Sequence, residues 1–255
     1  MNKLLYIAVI LIALLSSCST VRNATDYSGK LAVRLDTFRL YDESRQREIP
    51  IATYRSRDSL QNEEIVVFSH GYGANYQKNY LVYSYITSYL ASKGYFVVSI
   101  QHELPNDSLL PFTGIPQVVR LPFWERGVEN IYYTINELKK TNPTLDFEHI
   151  TLIGHSNGGD MAALFHKKHP NIVEKIITLD QLRVPLPRTT ELKVYSLRSS
   201  DKQADEGVLP TVEEQKQFGI TVINLLNIEH NDMNDFGENK KKRVIRRYAL
   251  EFMEN

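Results

Sequence analysis

The feature that most constrains the fold of this chain is a regular alternation of short apolar segments with longer helical patterns. Six segments rich in β-branched and aromatic residues follow one another, at residues 65–69, 95–101, 149–153, 175–179, 192–197 and 221–227. Several are nearly continuous apolar runs, as expected of strands that are buried on both faces of a sheet. The alternation therefore predicts an α/β fold with a mostly parallel sheet and helices on both of its faces.

The segments around these strands complete the prediction. Helices are predicted at residues 80–92, 125–141, 159–168, 211–218 and 238–253, several of them ending near Gly or Pro. Residues 31–41 and 48–54 flank the turn-like sequence Asp42-Glu43-Ser44 and predict an antiparallel pair of strands. The sheet should then contain eight strands.

Composition limits the size of the protein and the kind of partner. A chain of 255 residues with 42% hydrophobic residues can form one well-buried core, so we expect a single domain at residues 31–255. Thirty Lys plus Arg balance thirty Asp plus Glu, which argues against nucleic acid as a partner. A small, weakly charged molecule is the expected ligand.

The first residues have the layout of a secretory signal. Lys3 precedes an apolar stretch at residues 4–15, which is too short to cross a hydrocarbon core of about 30 Å. The sequence Leu15-Ser16-Ser17-Cys18 resembles the processing box of bacterial lipoproteins, in which the cysteine is lipidated. We expect a signal peptide at residues 1–17 and a lipidated Cys18, followed by a tether up to residue 30. The expected location is the bacterial cell envelope. Ser19 after Cys18 resembles lipoproteins that are sent on to the outer membrane. An ordinary cleaved signal is the alternative.

Two connecting segments bear on access to a site. About a dozen residues separate the strands that end at residue 179 and begin at residue 192, which leaves no room for a large lid domain. Residues 104–123 contain four prolines and several large apolar side chains. This segment is predicted to overhang the site as a wall.

The sequence Gly154-His155-Ser156-Asn157-Gly158-Gly159 matches the G-x-S-x-G pattern of a nucleophile elbow. It stands between a predicted strand and a predicted helix, which is the context that the pattern requires. A sharp turn there exposes the Ser156 hydroxyl, and the start of the helix favours negative charge beside it. Ser156 is the candidate nucleophile.

A serine hydroxyl needs a base to take its proton, and seven histidines are available. His155 is expected to point away from the serine, while His70 and His102 end earlier strands and are predicted to shape the pocket. His230 follows the last predicted strand, which is where the base stands in this chain order. His230 is the candidate general base.

Two carboxylates compete to orient that histidine. Asp201 follows the strand at residues 192–197 after a short turn, and the sequence favours it. Asp180 ends the preceding strand and could reach the same histidine. Asp205 is a weaker third choice, and its other role would be to fix its own loop.

An oxyanion would need backbone donors after the nucleophile and after an earlier strand. Asn157 is the first candidate. Tyr72 is the second, because Gly71 and Gly73 beside it let the chain bend toward the substrate oxygen.

With these segments in place, the chain from about residue 31 resembles the α/β-hydrolases related to dienelactone hydrolases, platelet-activating-factor acetylhydrolases and cutinase-like polyester hydrolases. The oxyanion segment at residues 68–74 and the elbow at residues 154–159 carry the resemblance. The acetylhydrolase group has its acid in a segment like Leu179-Asp180, and the other two have it where Asp201 stands. The resemblance therefore leaves the acid open.

The resemblance implies the α/β-hydrolase fold and ester hydrolysis through an acyl-enzyme on Ser156, with a small-molecule ester as substrate. No cofactor is expected, and no metal, since the histidines and carboxylates lack a metal-ligand spacing. The lack of a lid predicts tolerance of varied acyl or alcohol groups, with a preference for short or medium chains. Two alternatives stay open: an amidase or peptidase on the same residues, and a catalytically silent binding lipoprotein with this fold.

Overall fold

An eight-stranded sheet forms the centre of the computed structural model, which describes residues 33–58 and 61–255. The strands are β1 (Val33–Asp42), β2 (Arg47–Ser56), β3 (Glu64–Ser69), β4 (Phe96–Ile100), β5 (Asp146–His155), β6 (Lys175–Leu179), β7 (Lys193–Arg198) and β8 (Thr221–Asn224). Their order is β1-β2-β4-β3-β5-β6-β7-β8. The pairs β1–β2 and β2–β4 are antiparallel, and the other five are parallel. The predicted sheet is confirmed.

The helices stand between the strands. They are α1 (Ser84–Ala91), α2 (Pro116–Val119), α3 (Leu121–Thr141), α4 (Asn157–Lys168), α5 (Val212–Phe218) and α6 (Asn239–Glu254), with short 3-10 helices at Asn79–Leu81 and His230–Met233. The helix predicted from residue 80 is wrong at its start, because a 3-10 turn precedes α1. The last strand ends earlier than predicted, since Asn227 has a φ of 59° and the chain turns away.

Two apolar layers cover the faces of the sheet. Side chains alternate along each strand, so Ile65 and Val67 of β3 join one layer and Val66 and Phe68 join the other. The first layer is closed by α3 and α4, and the second by α1 and α6. Helices therefore cover both faces, as the apolar strands predict.

The carboxyl ends of β3, β5, β6 and β7 meet at one edge of the sheet, where open parallel sheets bind their ligands. Residues 180–192, all of them described, form neither helix nor strand between β6 and β7. This edge therefore carries no lid domain at that point.

The signal peptide predicted at residues 1–17, the lipidated Cys18 and the tether up to residue 30 lie outside the described residues. In the part of the chain that is described, no helix combines the length and the hydropathy needed to cross a membrane.

Candidate active site

Ser156 stands on a sharp turn between β5 and α4. Its φ is 51° and its ψ is −119°, a backbone conformation that residues other than glycine rarely adopt. The turn closes because its neighbours are glycines: a Cβ on Gly154 would lie 2.3 Å from the carbonyl oxygen of Gly158, and a Cβ on Gly158 would lie 2.3 Å from that of Ser69. The turn lifts the hydroxyl above the sheet edge at the N-terminus of α4.

The structure brings Ser156 and His230 together. His230 Nε2 lies 3.0 Å from Ser156 Oγ, and His230 Nδ1 lies 2.5 Å from Asp180 Oδ2. Since the carboxylate accepts the Nδ1 proton, Nε2 is the nitrogen that faces the hydroxyl as an acceptor. The three side chains thus form a serine–histidine–aspartate arrangement with hydrogen bonds at both links.

The sequence favours Asp201 as the acid, whereas the geometry favours Asp180. Asp201 Oδ1 accepts a hydrogen bond of 2.6 Å from the backbone amide of His230, whereas Asp180 contacts the ring. Asp180 directly follows β6, while Asp201 stands three residues beyond the end of β7 and is displaced outward. Asp205, the third choice, pairs with Arg183 and accepts a hydrogen bond from Gln117.

Asp180 is fully buried and held in its ionised form. Burial would raise its pKa, but hydrogen bonds from His230 and Ser199 and the charge of Arg198 outweigh burial and lower the pKa below its usual value. Arg198 Nη2 lies 2.8 Å from Asp180 Oδ1, and Ser199 donates to the carboxylate from its amide and its hydroxyl. The charge needed to stabilise a protonated His230 is therefore built into the core.

His155, which the sequence places away from the serine, packs under His230. Its Nε2 donates to the carbonyl oxygen of His230 at 3.1 Å, and the ring centroids are 4.7 Å apart. Tyr83 donates to His155 Nδ1 at 2.8 Å and accepts from the amide of Gly71 at 3.0 Å. Burial and the nearby His230 lower the pKa of His155 to about 3, so its ring is neutral. The relay joins the loop of His230 to the loop of Gly71.

The loop after β3 is oriented by a second buried histidine. His70 Nε2 accepts the amide of His102 at 3.1 Å, so its proton is on Nδ1 and is donated to the carbonyl oxygen of Gly71 at 2.7 Å. A trans peptide points its N–H opposite to its carbonyl, and the amide on that peptide belongs to Tyr72. Among the described residues this amide has no hydrogen-bond partner. His70 thereby fixes a free donor.

The second candidate donor, the amide of Asn157, begins α4 and has no partner within the helix. The Asn157 side chain is clamped below it: Oδ1 accepts from Trp124 Nε1 at 2.8 Å, and Nδ2 donates to Glu103 Oε1 at 3.1 Å. Burial raises the pKa of Glu103 to about 7. These contacts hold Asn157 in a fixed position.

A cavity of about 210 Å³ opens beside Ser156. Its lining consists of Tyr72, Leu110, Phe112, Arg120, Ser156, Asn157, Asp160, Leu182 and Arg183. The segment predicted to overhang the site contributes Leu110, Phe112 and Arg120 to this wall. His70 and His102, predicted to shape the pocket, are instead buried behind it and do not line it.

Among the described residues, no three His, Cys, Asp or Glu side chains lie together in a way that could hold a metal ion. The residues at this site offer acid–base, nucleophilic and hydrogen-bonding groups.

Sequence reasoning missed the roles of Arg198, Glu103, Tyr83 and His155. Arg198 carried a usable signal, because a charged residue ending an apolar strand needs a partner of opposite charge. The other three join the site only through folding, and nothing in their local sequence indicates it.

Comparison with known proteins supports the assignment of fold. Residues 61–180 match the model of the Hydrolase_4 family, described as serine aminopeptidase, S33. Among curated proteins, none matches the sequence significantly.

Solved structures share the fold at low sequence identity. A dienelactone hydrolase-like promiscuous phosphotriesterase from metagenomic libraries has a TM-score of 0.63 and 12% identity, over 88% of this chain and 98% of that one. An esterase from Pyrobaculum calidifontis has a TM-score of 0.62 and 13% identity, over 87% and 85% of the two chains. A Bacteroides ovatus protein assigned as a dipeptidyl aminopeptidase IV has a TM-score of 0.64 and 13% identity.

The match to the Bacteroides ovatus protein covers 89% of this chain but only 36% of that one, so the chain spans about a third of its length. Such identities show the fold and leave the substrate open. Sheet order, family match and structural likeness together show that the chain has the α/β-hydrolase fold.

Proposed function

We propose that the protein is a carboxylic ester hydrolase that acylates Ser156, with His230 as general base and Asp180 as the acid that orients it. The observation that carries the proposal is the unbroken pair of hydrogen bonds from Ser156 Oγ to His230 and from His230 to Asp180. No part of this arrangement needs rebuilding before a substrate can react, since the distances are already those of proton transfer.

The proposed reaction has two halves. His230 Nε2 takes the proton of Ser156 as Oγ attacks the ester carbonyl, and then returns that proton to the departing alcohol. Water, deprotonated by the same nitrogen, then attacks the acyl carbon; the bond from that carbon to Ser156 Oγ breaks, Oγ takes the proton from Nε2, and the acid is released. The buried charge of Asp180 stabilises the protonated ring in both halves.

The developing oxyanion would be bound by the amides of Tyr72 and Asn157. Neither amide has a hydrogen-bond partner among the residues that the structure describes, and the dipole of α4 adds to the effect of the second. In a serine hydrolase, removal of one such preorganised donor costs about 3 kcal/mol of transition-state stabilisation. His70 and the Glu103 clamp on Asn157 act by holding those donors in position.

Peptide hydrolysis is the second candidate, because the matching family model is described as a serine aminopeptidase. An aminopeptidase must bind a positively charged amino terminus beside its nucleophile. Here two arginines line the cavity next to Ser156, which disfavours that substrate. We therefore expect kcat/KM on 4-nitrophenyl butyrate to exceed that on leucine 4-nitroanilide; the opposite order would favour the peptidase.

The first test is covalent labelling of the purified full chain with a fluorophosphonate probe. We expect the probe on Ser156, with labelling lost in Ser156→Ala and His230→Ala. Ser108→Ala and His149→Ala, both at exposed positions, are the matched controls and should label like the wild type. A folded wild type that takes up no probe would favour the silent binding lipoprotein instead.

We also propose that Cys18 is lipidated and anchors the protein in the bacterial cell envelope, on the strength of the sequence Leu15-Ser16-Ser17-Cys18. Expression with a radiolabelled fatty acid tests this. Label should enter the wild type and be absent from Cys18→Ala, whose product should leave the membrane fraction. Equal labelling of both chains would contradict the anchor.

A further inference from the structure

Arg120 brings an unpaired positive charge to the cavity beside Ser156. Its Nε donates to the carbonyl oxygen of Pro111 at 2.9 Å, and its guanidinium stands 5.1 Å from the centre of the Phe112 ring. Its two terminal amino groups make no hydrogen bond or ion pair with any residue that the structure describes. A guanidinium remains ionised in proteins, so the charge and the four N–H donors of the terminal amino groups are available to a ligand.

A second arginine strengthens the positive character of this wall. Burial, followed by the positive charge of Arg183, lowers the pKa of Arg120. Arg183 also lines the cavity; its Nη1 pairs with Asp205, while its buried Nε has no partner. Two guanidinium groups that destabilise each other are a common way to bind a carboxylate or phosphate.

Two carboxylates also lie near these arginines, and both are engaged by other groups. Asp160 lines the cavity, but its Oδ1 accepts the amides of Arg183 and Val184, and burial raises its pKa to about 6. Asp205 is occupied by Arg183 and Gln117. Both charges favour the ionised form of Arg120, but neither carboxylate forms an ion pair with it, so its terminal amino groups stay available to an anionic ligand.

The position of the cavity indicates which part of a substrate it holds. His230 must protonate the alcohol as it leaves, so the alcohol lies on the side of His230. The cavity is lined by Ser156 and by both candidate oxyanion residues, but not by His230. It therefore lies on the acyl side of the reacting carbon.

Resting on the proposed ester hydrolysis, we propose that this subsite selects acyl groups that end in a carboxylate, so that the substrates are monoesters of short dicarboxylic acids, with Arg120 as the residue that binds the free carboxylate. The cavity of about 210 Å³ is smaller than the pockets of about 300–1,000 Å³ that hold drug-sized ligands, which limits the acyl chain to a few carbons. Phe112 and Leu182 supply the apolar walls for its methylene groups.

The test compares two methyl esters of equal chain length, monomethyl glutarate and methyl pentanoate, by proton release. The wild type should prefer the charged ester in kcat/KM by about tenfold or more, as expected for a hydrogen bond between charged groups. That preference should shrink as salt is added, because ions screen the attraction.

Three variants locate the effect. Arg120→Met should bring the ratio of the two kcat/KM values close to one, and Arg120→Lys should restore part of it. Arg243→Met, which removes an exposed arginine on α6, is the matched control and should keep the wild-type ratio. The ratio is taken within each variant, so a general loss of activity does not mimic the result. If Arg120→Met does not fold, the salt dependence of the wild-type ratio decides.

The outcomes separate the subsite from the proposed function. Hydrolysis of both esters at equal kcat/KM, or a ratio that Arg120→Met leaves unchanged, overturns the subsite and leaves the esterase standing. Hydrolysis of neither ester overturns the esterase; calorimetric titration of Ser156→Ala with glutarate then decides the subsite, which is overturned if no binding is detected.

Discussion

Two carboxylates that follow neighbouring strands contact the same histidine in different ways. Asp180 is the first residue after β6, and it reaches the ring of His230 from a fully buried position. Asp201 comes after β7 and a short turn, its side chain is 33% exposed, and it reaches only the backbone amide of His230. One carboxylate can set the charge and tautomer of the ring, and the other can set only the position of the loop.

The difference follows from where each strand turns. Ser156 and Asp180 each directly follow their strand with a positive φ, 51° and 56°, and each donates its amide to the last or next-to-last residue of the neighbouring strand. Two adjacent strands thus make the same sharp turn, which leaves the candidate nucleophile and the candidate acid at equivalent positions beyond the ends of their strands. β7 instead continues to Arg198, whose side chain pairs with Asp180. The position of an acid therefore depends on the turn and on the neighbouring cation.

The largest effect expected from this comparison is on catalysis. Asp180→Asn keeps the shape of the side chain but lets His230 adopt the wrong tautomer, which cost about ten-thousandfold in kcat in a related triad. We expect a loss of kcat of that order on 4-nitrophenyl butyrate. A loss confined to tenfold, with Asp201→Asn falling further, would return the role to Asp201.

The next effect is on stability. Arg198→Met leaves the Asp180 carboxylate buried without its cation, and breaking a buried pair costs about 3–5 kcal/mol in the free energy of unfolding. Lys202→Met is the matched control, since Lys202 Nζ lies 4.0 Å from Asp201 and the pair is exposed. Urea denaturation should show a change of about 0.5 kcal/mol or less for that control. Equal changes in the two variants would contradict the view that the buried pair is the more stabilising one.

A smaller loss of activity is expected from Asp201→Ala. The variant removes the acceptor of the His230 amide, a hydrogen bond worth about 1 kcal/mol, while the ring keeps its bond to Asp180. We expect kcat/KM to fall about tenfold or less, with the pH profile unchanged in shape. An altered profile would mean that Asp201 acts on the ring.

The smallest effect is the pH dependence of stability. The pKa of Asp180 is lowered in the folded protein, so the stability that its charge contributes is complete above the ordinary value of 3.8 and is lost as pH falls through the folded pKa. The difference in free energy of unfolding between wild type and Asp180→Asn should therefore shrink as the pH falls below about pH 4. A difference that grows as the pH falls below about pH 4 would show the wrong sign.

The sequence predicts those parts of the site that depend on neighbouring residues. The elbow at Ser156 needs glycines two residues away on either side, and the pattern is local, so it can be read from the chain. His230 follows from chain order, because a base must come from the loop after the last strand. The strands and the helices that cover both faces of the sheet follow likewise from the period of the apolar residues.

The remaining parts depend on contacts between distant segments. Choosing between Asp180 and Asp201 requires the turn after β6 and the pairing with Arg198, neither of which has a local pattern. The cavity is formed by Arg120 and Arg183 from two separate loops, and only the folded chain brings them together. The free charge of Arg120 is likewise visible only from what surrounds it.

The relay that runs from Gly71 through Tyr83 and His155 to the carbonyl of His230 makes two loops mechanically dependent on each other. One loop carries the candidate base, and the other carries a candidate oxyanion donor. Displacement of either loop must break a buried hydrogen bond that the other also relies on. Thermal loosening should therefore remove proton transfer and charge stabilisation at the same temperature, so that the protein has either a complete site or none.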